Sequence, residues 1–133
     1  MIDGAILLVE DNPLNMELAG EILRQAGLTV LQAATAQEGL RLAVESRPAL
    51  VLLDIQLPDL DGLEAVRRLR ADPRTASIPV VALTAQAMKG DQAAALAAGC
   101  NGYITKPINT RSFVRDVLAH LDAPSGRGNA ALP

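Results

Sequence analysis

The sequence predicts an α/β fold, a (βα)5 doubly wound arrangement in which a five-stranded parallel sheet of order 2-1-3-4-5 carries helices on both faces. Three observations predict it. Five short apolar runs alternate with five segments whose apolar residues recur at helical spacing. Several of those runs are continuously apolar instead of alternating, which suits strands buried on both faces. Each helical segment is also long enough to serve as a right-handed crossover between parallel strands, and 2-1-3-4-5 is the common strand order for five such units.

Ala5 to Val9 reads as the first strand and ends in Glu10-Asp11. Asn12 is a favourable N-cap and Pro13 suits the first helical position, so a helix begins at once. It carries Met16, Ala19, Ile22, Leu23 and Ala26 at helical spacing and stops at Gly27, a C′ residue. Leu28 to Ala33 gives the second strand. Thr35 followed by Glu38 is a capping-box match for a helix through Leu40, Ala43 and Val44, ended by Pro48. The third strand, Leu50 to Leu53, runs into Asp54 and is closed by Pro58 and the turn-rich D-L-D-G. A helix follows from Gly62 through Leu63, Val66 and Leu69 to about Ala71, and D-P-R-T-A-S is a surface loop. Ile78 to Leu83 is the fourth strand, ending in Thr84-Ala85. Gln86 to Gly90 is a looser segment leading into an Ala-rich helix that ends at Ala98-Gly99. Gly102 to Thr105 is the fifth strand, ending in Lys106-Pro107, and Asn109 caps a last helix bearing Phe113, Val117, Leu118 and Leu121.

Composition narrows the function. With 133 residues, half of them hydrophobic, the chain has room for one domain with a sizeable core. One Tyr, one Phe and no Trp argue against a stacking platform for single-stranded nucleic acid. A net charge of −3 argues against phosphate-backbone binding, so no nucleic acid partner is expected. The lone Cys100 fits a reducing, cytoplasmic setting, and no stretch approaches membrane-spanning length. Cys100 in its G-C-N-G turn reads as a small filler, and His120, in the last turn of its helix, as a solvated imidazole.

In a 2-1-3-4-5 sheet the switch point lies between strands 1 and 3, where ligands collect at the carboxyl ends. Those strands end in Glu10-Asp11 and in Asp54, so the topology brings three carboxylates together. Taken singly, Asp54 could cap a turn, and Glu10 and Asp11 could answer a helix dipole. Taken together they repel one another, and with Lys106 at the end of strand 5 the local formal charge is about −2, which a divalent cation would neutralise. Oxygen-only ligands select a hard ion such as Mg²⁺. Thr84 and Lys106 add a hydroxyl and an ammonium, and a carboxylate so flanked is equipped to attack phosphorus.

E-D-N after strand 1, L-L-D-I-Q-L-P-D-L-D-G at strand 3, A-L-T-A at strand 4 and Y-I-T-K-P at strand 5 carry a resemblance. Between about Ile6 and Leu121 the chain resembles the receiver domain of two-component response regulators, with its flavodoxin/CheY-like fold. It is most similar to single-domain receivers of the DivK type and to receivers of hybrid histidine kinases. The resemblance implies that Asp54 is the phosphoacceptor, taking phosphoryl from a phosphohistidine on a histidine kinase or histidine phosphotransfer protein. It implies Asp11 and Asp54 as Mg²⁺ ligands with the backbone carbonyl of Gln56, and Glu10 acting through water. Thr84 and Lys106 would hold the phosphoryl oxygens, with Thr84 and Tyr103 as the switch pair and a cis bond between Lys106 and Pro107. Gln56 and Gln86 would flank the phosphoryl group and control access of water. Glu10 stands where many relatives have Asp, a longer side chain by one methylene.

The same resemblance implies signalling through a downstream kinase or adaptor protein, by a phosphorylation-dependent face around Met88 to Ala98, Tyr103 and Phe113 to Leu121. Self-catalysed transfer and slow autodephosphorylation are its only expected chemistry. An aspartyl phosphatase or phosphoaspartyl ATPase would instead carry D-x-D-x-T, whereas this chain has Asp54-Ile55-Gln56. No Gly-rich phosphate loop follows strand 1. A receiver excised from a hybrid kinase and a degenerate, constitutive adaptor are the alternatives. Residues 1–122 are expected to form the receiver domain and 123–133 a disordered tail.

Overall fold

The structure is a computed structural model describing residues 4–57, 59–84, 89–106 and 108–122. Its strands are β1 (Ala5–Val9), β2 (Thr29–Ala33), β3 (Leu50–Asp54), β4 (Val80–Thr84) and β5 (Gly102–Thr105). Alternating with them are α1 (Pro13–Gln25), α2 (Ala36–Ser46), α3 (Gly62–Ala71), α4 (Lys89–Ala98) and α5 (Thr110–Asp122). The strands form one parallel sheet of order β2-β1-β3-β4-β5, as the alternation predicts. All residues of β3 and β4 are buried, which is why their sequences are unbroken apolar runs up to the final Asp54 and Thr84.

Two apolar layers cover the sheet. Leu7, Val9, Val51, Leu53, Val80 and Ala82 face a layer built by Ala36 and Ala43 of α2, Ala65, Val66 and Leu69 of α3, and Ala95 and Ala98 of α4. Ile6, Leu8, Leu50, Leu52, Val81, Leu83 and Ile104 face the other, built by Ala19 and Leu23 of α1 and Phe113 and Val117 of α5. The alternation along each strand thus sends successive side chains to opposite layers. Phe113 is fully buried and does the filling that the other helices divide among smaller residues.

Several element ends differ from expectation, each for a local reason. The Leu28 N–H turns back to the Leu23 carbonyl to close α1, so β2 starts one residue later. The Ile78 N–H is taken by the Thr75 carbonyl and Pro79 has no N–H, so β4 starts at Val80 instead of Ile78. Helix α4 begins at Lys89, inside the segment expected to be loose. Arg47 caps α2 in a left-handed conformation (φ 44°), uncommon for a residue other than glycine, and Pro48 follows it where the helix stops. His120 is partly buried against the Gly102 backbone of β5, correcting the expectation of a solvated ring. Cys100 is buried as expected, and burial pushes its thiol up to about 11. The expected tail, residues 123–133, lies outside the described residues, as do Gln86, Met88 and Pro107.

Candidate functional site at the carboxyl ends of the strands

The residues after β1 form a short structured turn. The Asn12 side chain accepts N–H bonds from Leu14 (2.9 Å) and Asn15 (3.1 Å), capping α1. Its own backbone N–H donates to Oε2 of Glu10 at 3.2 Å, while the Glu10 N–H donates to the Ala33 carbonyl at 3.0 Å. Glu10 is thereby turned inward and buried, and Asp11 is left exposed.

At the end of β3, Asp54 is 4% exposed, and both of its carboxylate oxygens are engaged. Oδ1 accepts the Gln56 N–H at 2.9 Å, and Oδ2 accepts from Lys106 Nζ at 2.9 Å. Lys106 Nζ also stands 2.9 Å from Glu10 Oε1 as an ion pair without the angle of a directed hydrogen bond. The Lys106 backbone is fixed by its N–H to the Thr84 carbonyl at 2.7 Å, so the end of β4 sets where the ammonium starts. Thr84 itself is buried.

Electrostatics follow from this burial. Desolvation pushes the Glu10 carboxyl above the usual carboxylate range, Asp54 adds to the rise, and Lys106 only partly offsets it. For Lys106, desolvation favours the neutral amine, but the pairs with Glu10 and Asp54 outweigh it and hold the ammonium above its ordinary value. The ammonium is thus locked in its charged form between two buried carboxylates.

Carboxylate oxygens of Glu10, Asp11 and Asp54 lie within 4.8 Å of one another. Three carboxylates and one ammonium leave a formal charge of about −2. The donors are all oxygen, and one buried oxygen, Glu10 Oε1, accepts no directed hydrogen bond. Such a donor set fits a hard divalent cation.

The loop after β3 closes on itself and on its neighbours. Gln56 and Asp61 form an antiparallel bridge, and the Gly62 N–H donates to the Ile55 carbonyl at 3.2 Å. A Cβ on Gly62 would come within 2.3 Å of the Ile55 Cα, so only glycine allows this approach. Asp61 caps α3 through the Leu63 N–H. Asp59 reaches to α2, whose Ala36 and Gln37 N–H groups hold its carboxyl below the usual range.

Of the residues expected at the site, Glu10, Asp11, Asp54, Gln56, Thr84 and Lys106 are gathered here. Tyr103 is not among them: it lies on β5, two strands from Asp54 on β3, 37% exposed and in register with Ala82. Gln86 and the Lys106-Pro107 bond lie outside the described residues. Sequence reasoning did not anticipate the bond from Asn12 to Glu10 or the reach of Asp59.

The family model described as the response regulator receiver domain matches residues 6–118 of this chain. The chain belongs to the response regulator receiver domain family. This receiver is 41% identical over 117 residues to the polar-differentiation response regulator DivK of Brucella anthropi, covering 88% of this chain and 95% of that one. The crystal structure of the receiver domain of a sensor histidine kinase from Pseudomonas aeruginosa PAO1 is 36% identical to it, with a TM-score of 0.84 over 92% of this chain and 100% of that one. That structure has a magnesium ion coordinated in its active site cleft. The chemotaxis protein CheY4 of Vibrio cholerae, at 24% identity and a TM-score of 0.83, covering 89% and 98% of the two chains, shares the fold of this receiver. Among the described residues of the receiver, no helix is long and apolar enough to cross a membrane.

Proposed function

We propose that this receiver accepts a phosphoryl group on Asp54 from a phosphohistidine of a histidine kinase or histidine phosphotransfer protein. The observation that carries the reading is the shared ammonium: Lys106 Nζ lies 2.9 Å from both Asp54 and Glu10, beside a third carboxylate. In the transfer an Asp54 oxygen forms the new O–P bond as the P–N bond to the imidazole breaks, and the leaving nitrogen takes up a proton. Lys106 turns from its carboxylate partners toward the phosphoryl oxygens, and the Thr84 hydroxyl donates to another.

Asp11 and Asp54, with the backbone carbonyl of Gln56, would hold Mg²⁺ directly, and Glu10 would hold it through water. When bound, the ion neutralises charge on the phosphoryl oxygens as they approach the carboxylates. Gln56 and Gln86 would flank the group and control access of water; both are uncharged and neither is a strong base. Magnesium in the Pseudomonas relative and 41% identity to DivK support this reading.

Output passes to a downstream kinase or adaptor protein. Thr84 and Tyr103 lie on one face of the sheet, since Ala82 pairs with Tyr103 and Thr84 with Thr105. Inward movement of the Thr84 hydroxyl opens space on that face for the exposed Tyr103 ring. Incubation with acetyl phosphate, followed by intact mass measurement, tests the reading: wild type gains the mass of one phosphoryl group with Mg²⁺ and none with EDTA. Labelling that ignores EDTA contradicts it.

A further inference from the structure

The N-terminus of α2 has an unusual supply of partners. Four N–H groups open any helix without an acceptor inside it. Here the Glu38 N–H donates to Thr35 Oγ1 at 3.1 Å, a local bond, and the Gly39 N–H makes the helix's own first bond, to the Thr35 carbonyl at 3.0 Å. Two of the four are met from far along the chain: Ala36 donates to Asp59 Oδ1 at 2.9 Å and Gln37 to Asp59 Oδ2 at 3.0 Å. A helix capped by Thr35 alone would leave those two to water, so the cap does not by itself require Asp59.

What the two bonds achieve is a tie between the halves of the acidic site. Asp59 sits in the loop that begins at Asp54, three residues beyond Gln56, whose N–H is bonded to Asp54 Oδ1. On the other side, α2 presses on β1: a Cβ on Gly39 would meet Val9 Cγ2 at 2.8 Å, and Val9 directly precedes Glu10 and Asp11. Asp59 thus links the chain that follows Gln56, through the first turn of α2, Gly39 and Val9, to the strand that leads into Glu10 and Asp11.

We propose that Asp59 is a positioning residue which, by clamping loop 55–61 to the first turn of α2, sets the separation between Asp54 and Gln56 on one side and Glu10 and Asp11 on the other. The proposal rests on the reading of this site as a Mg²⁺-dependent phosphoacceptor. A carboxylate is suited to the task because its two oxygens take the two adjacent N–H donors at once, and the helix dipole favours its charge.

The test compares Asp59→Ala, Asp59→Asn and Thr35→Ala with wild type in the full chain. Thr35→Ala removes a bond at the same helix end without touching the loop, so it reports the cost of a damaged cap alone. Thermal unfolding, Mg²⁺ affinity by calorimetry and hydrogen exchange at the Gln56 amide are measured for each. Both alanine variants lower the unfolding temperature, but only Asp59→Ala weakens Mg²⁺ binding, by about 10-fold, the lower end of what outer partners of metal sites contribute. Asp59→Asn, retaining one acceptor oxygen, falls between and keeps the test available if the alanine variant does not fold. Faster exchange at Gln56 in the Asp59 variants than in Thr35→Ala supports the clamp. Equal affinity and equal exchange in the Asp59 and Thr35 variants overturn it. If wild type binds no Mg²⁺, the functional reading fails, and exchange at Gln56 then decides the clamp.

Discussion

Lys106 Nζ lies 2.9 Å from Asp54 Oδ2. The same ammonium is 2.9 Å from Glu10 Oε1, and both carboxylates are buried. One cation therefore compensates two anions that water reaches poorly. A buried pair of this kind adds little net stability over an apolar alternative, yet loss of one member leaves the other charged and uncompensated. Lys106 is accordingly the group whose removal should disturb both the fold and the ion balance.

Lys106→Met should lower the metal-free stability by about 1.5 to 3 kcal/mol, the scale of a hydrogen bond to a charged group. The same variant removes one positive charge from the site, so its affinity for Mg²⁺ should rise. Urea unfolding without metal and a calorimetric Mg²⁺ titration check the two signs. Unchanged stability would mean that water, not Lys106, compensates the carboxylates.

The pH dependence carries a definite sign. Glu10, whose pKa is raised above its ordinary 4.5 by burial and by Asp54, binds more protons folded than unfolded above that value. Metal-free stability should therefore fall as pH rises from about 4.5 through the raised value, and Glu10→Gln should flatten that slope. Asp59 and Asp72 work the other way: their lowered values, about 2 for Asp72 beside Arg74, give stability that is lost only as pH falls below 3.8. Urea midpoints across the acidic range, without metal, show whether the two regimes separate.

Asp11→Ala should weaken Mg²⁺ binding far more than Glu10→Ala. Asp11 is exposed and, among the described residues, makes no hydrogen bond that would have to break, whereas Glu10 is already held by Asn12 and Lys106. Loss of an outer partner costs about 10- to 100-fold. Equal losses by calorimetry would show that the two roles have been confused.

Thr84→Ala should retain phosphorylation at Asp54 while losing the coupling to Tyr103. The ring is exposed, so beryllofluoride with Mg²⁺ should bury it in wild type and leave it exposed in the variant. Tyr103 is the chain's one tyrosine, which makes its ring resonances in NMR spectra an unambiguous probe. Full burial in Thr84→Ala would mean that the signal takes another route.

The strand order and the gathering of Glu10, Asp11, Asp54 and Lys106 were legible because each depends on a local signal: an apolar run and the residue that ends it. The motifs made the family legible as well. Residues acting over long separations were not. Asp59 looks like an ordinary turn residue until the loop is seen against α2, and Arg70 reads as one more charge on α3. In the structure its guanidinium bonds the carbonyls of Gly99, Ala76 and Ile78 and the Asn101 side chain, tying α3 to the turns around β4 and β5. His120 was misread because a helix-end position suggests solvent, and nothing local reveals that Gly102 leaves room for its ring. Strand starts at Thr29 and Val80 were set by which carbonyl took one N–H, a choice that propensity does not encode.

Asp54 is the proposed phosphoacceptor, and the chemistry of acyl phosphates can identify it directly. An acyl phosphate is reduced by borohydride to the alcohol, so an aspartyl phosphate becomes homoserine at the modified position alone. Wild type treated with acetyl phosphate and Mg²⁺, reduced and sequenced as peptides, should carry homoserine at position 54 and nowhere else, and Asp54→Asn should carry none. Homoserine at Asp11 or Asp59 in wild type, or labelling of Asp54→Asn to the wild-type level, would contradict the account.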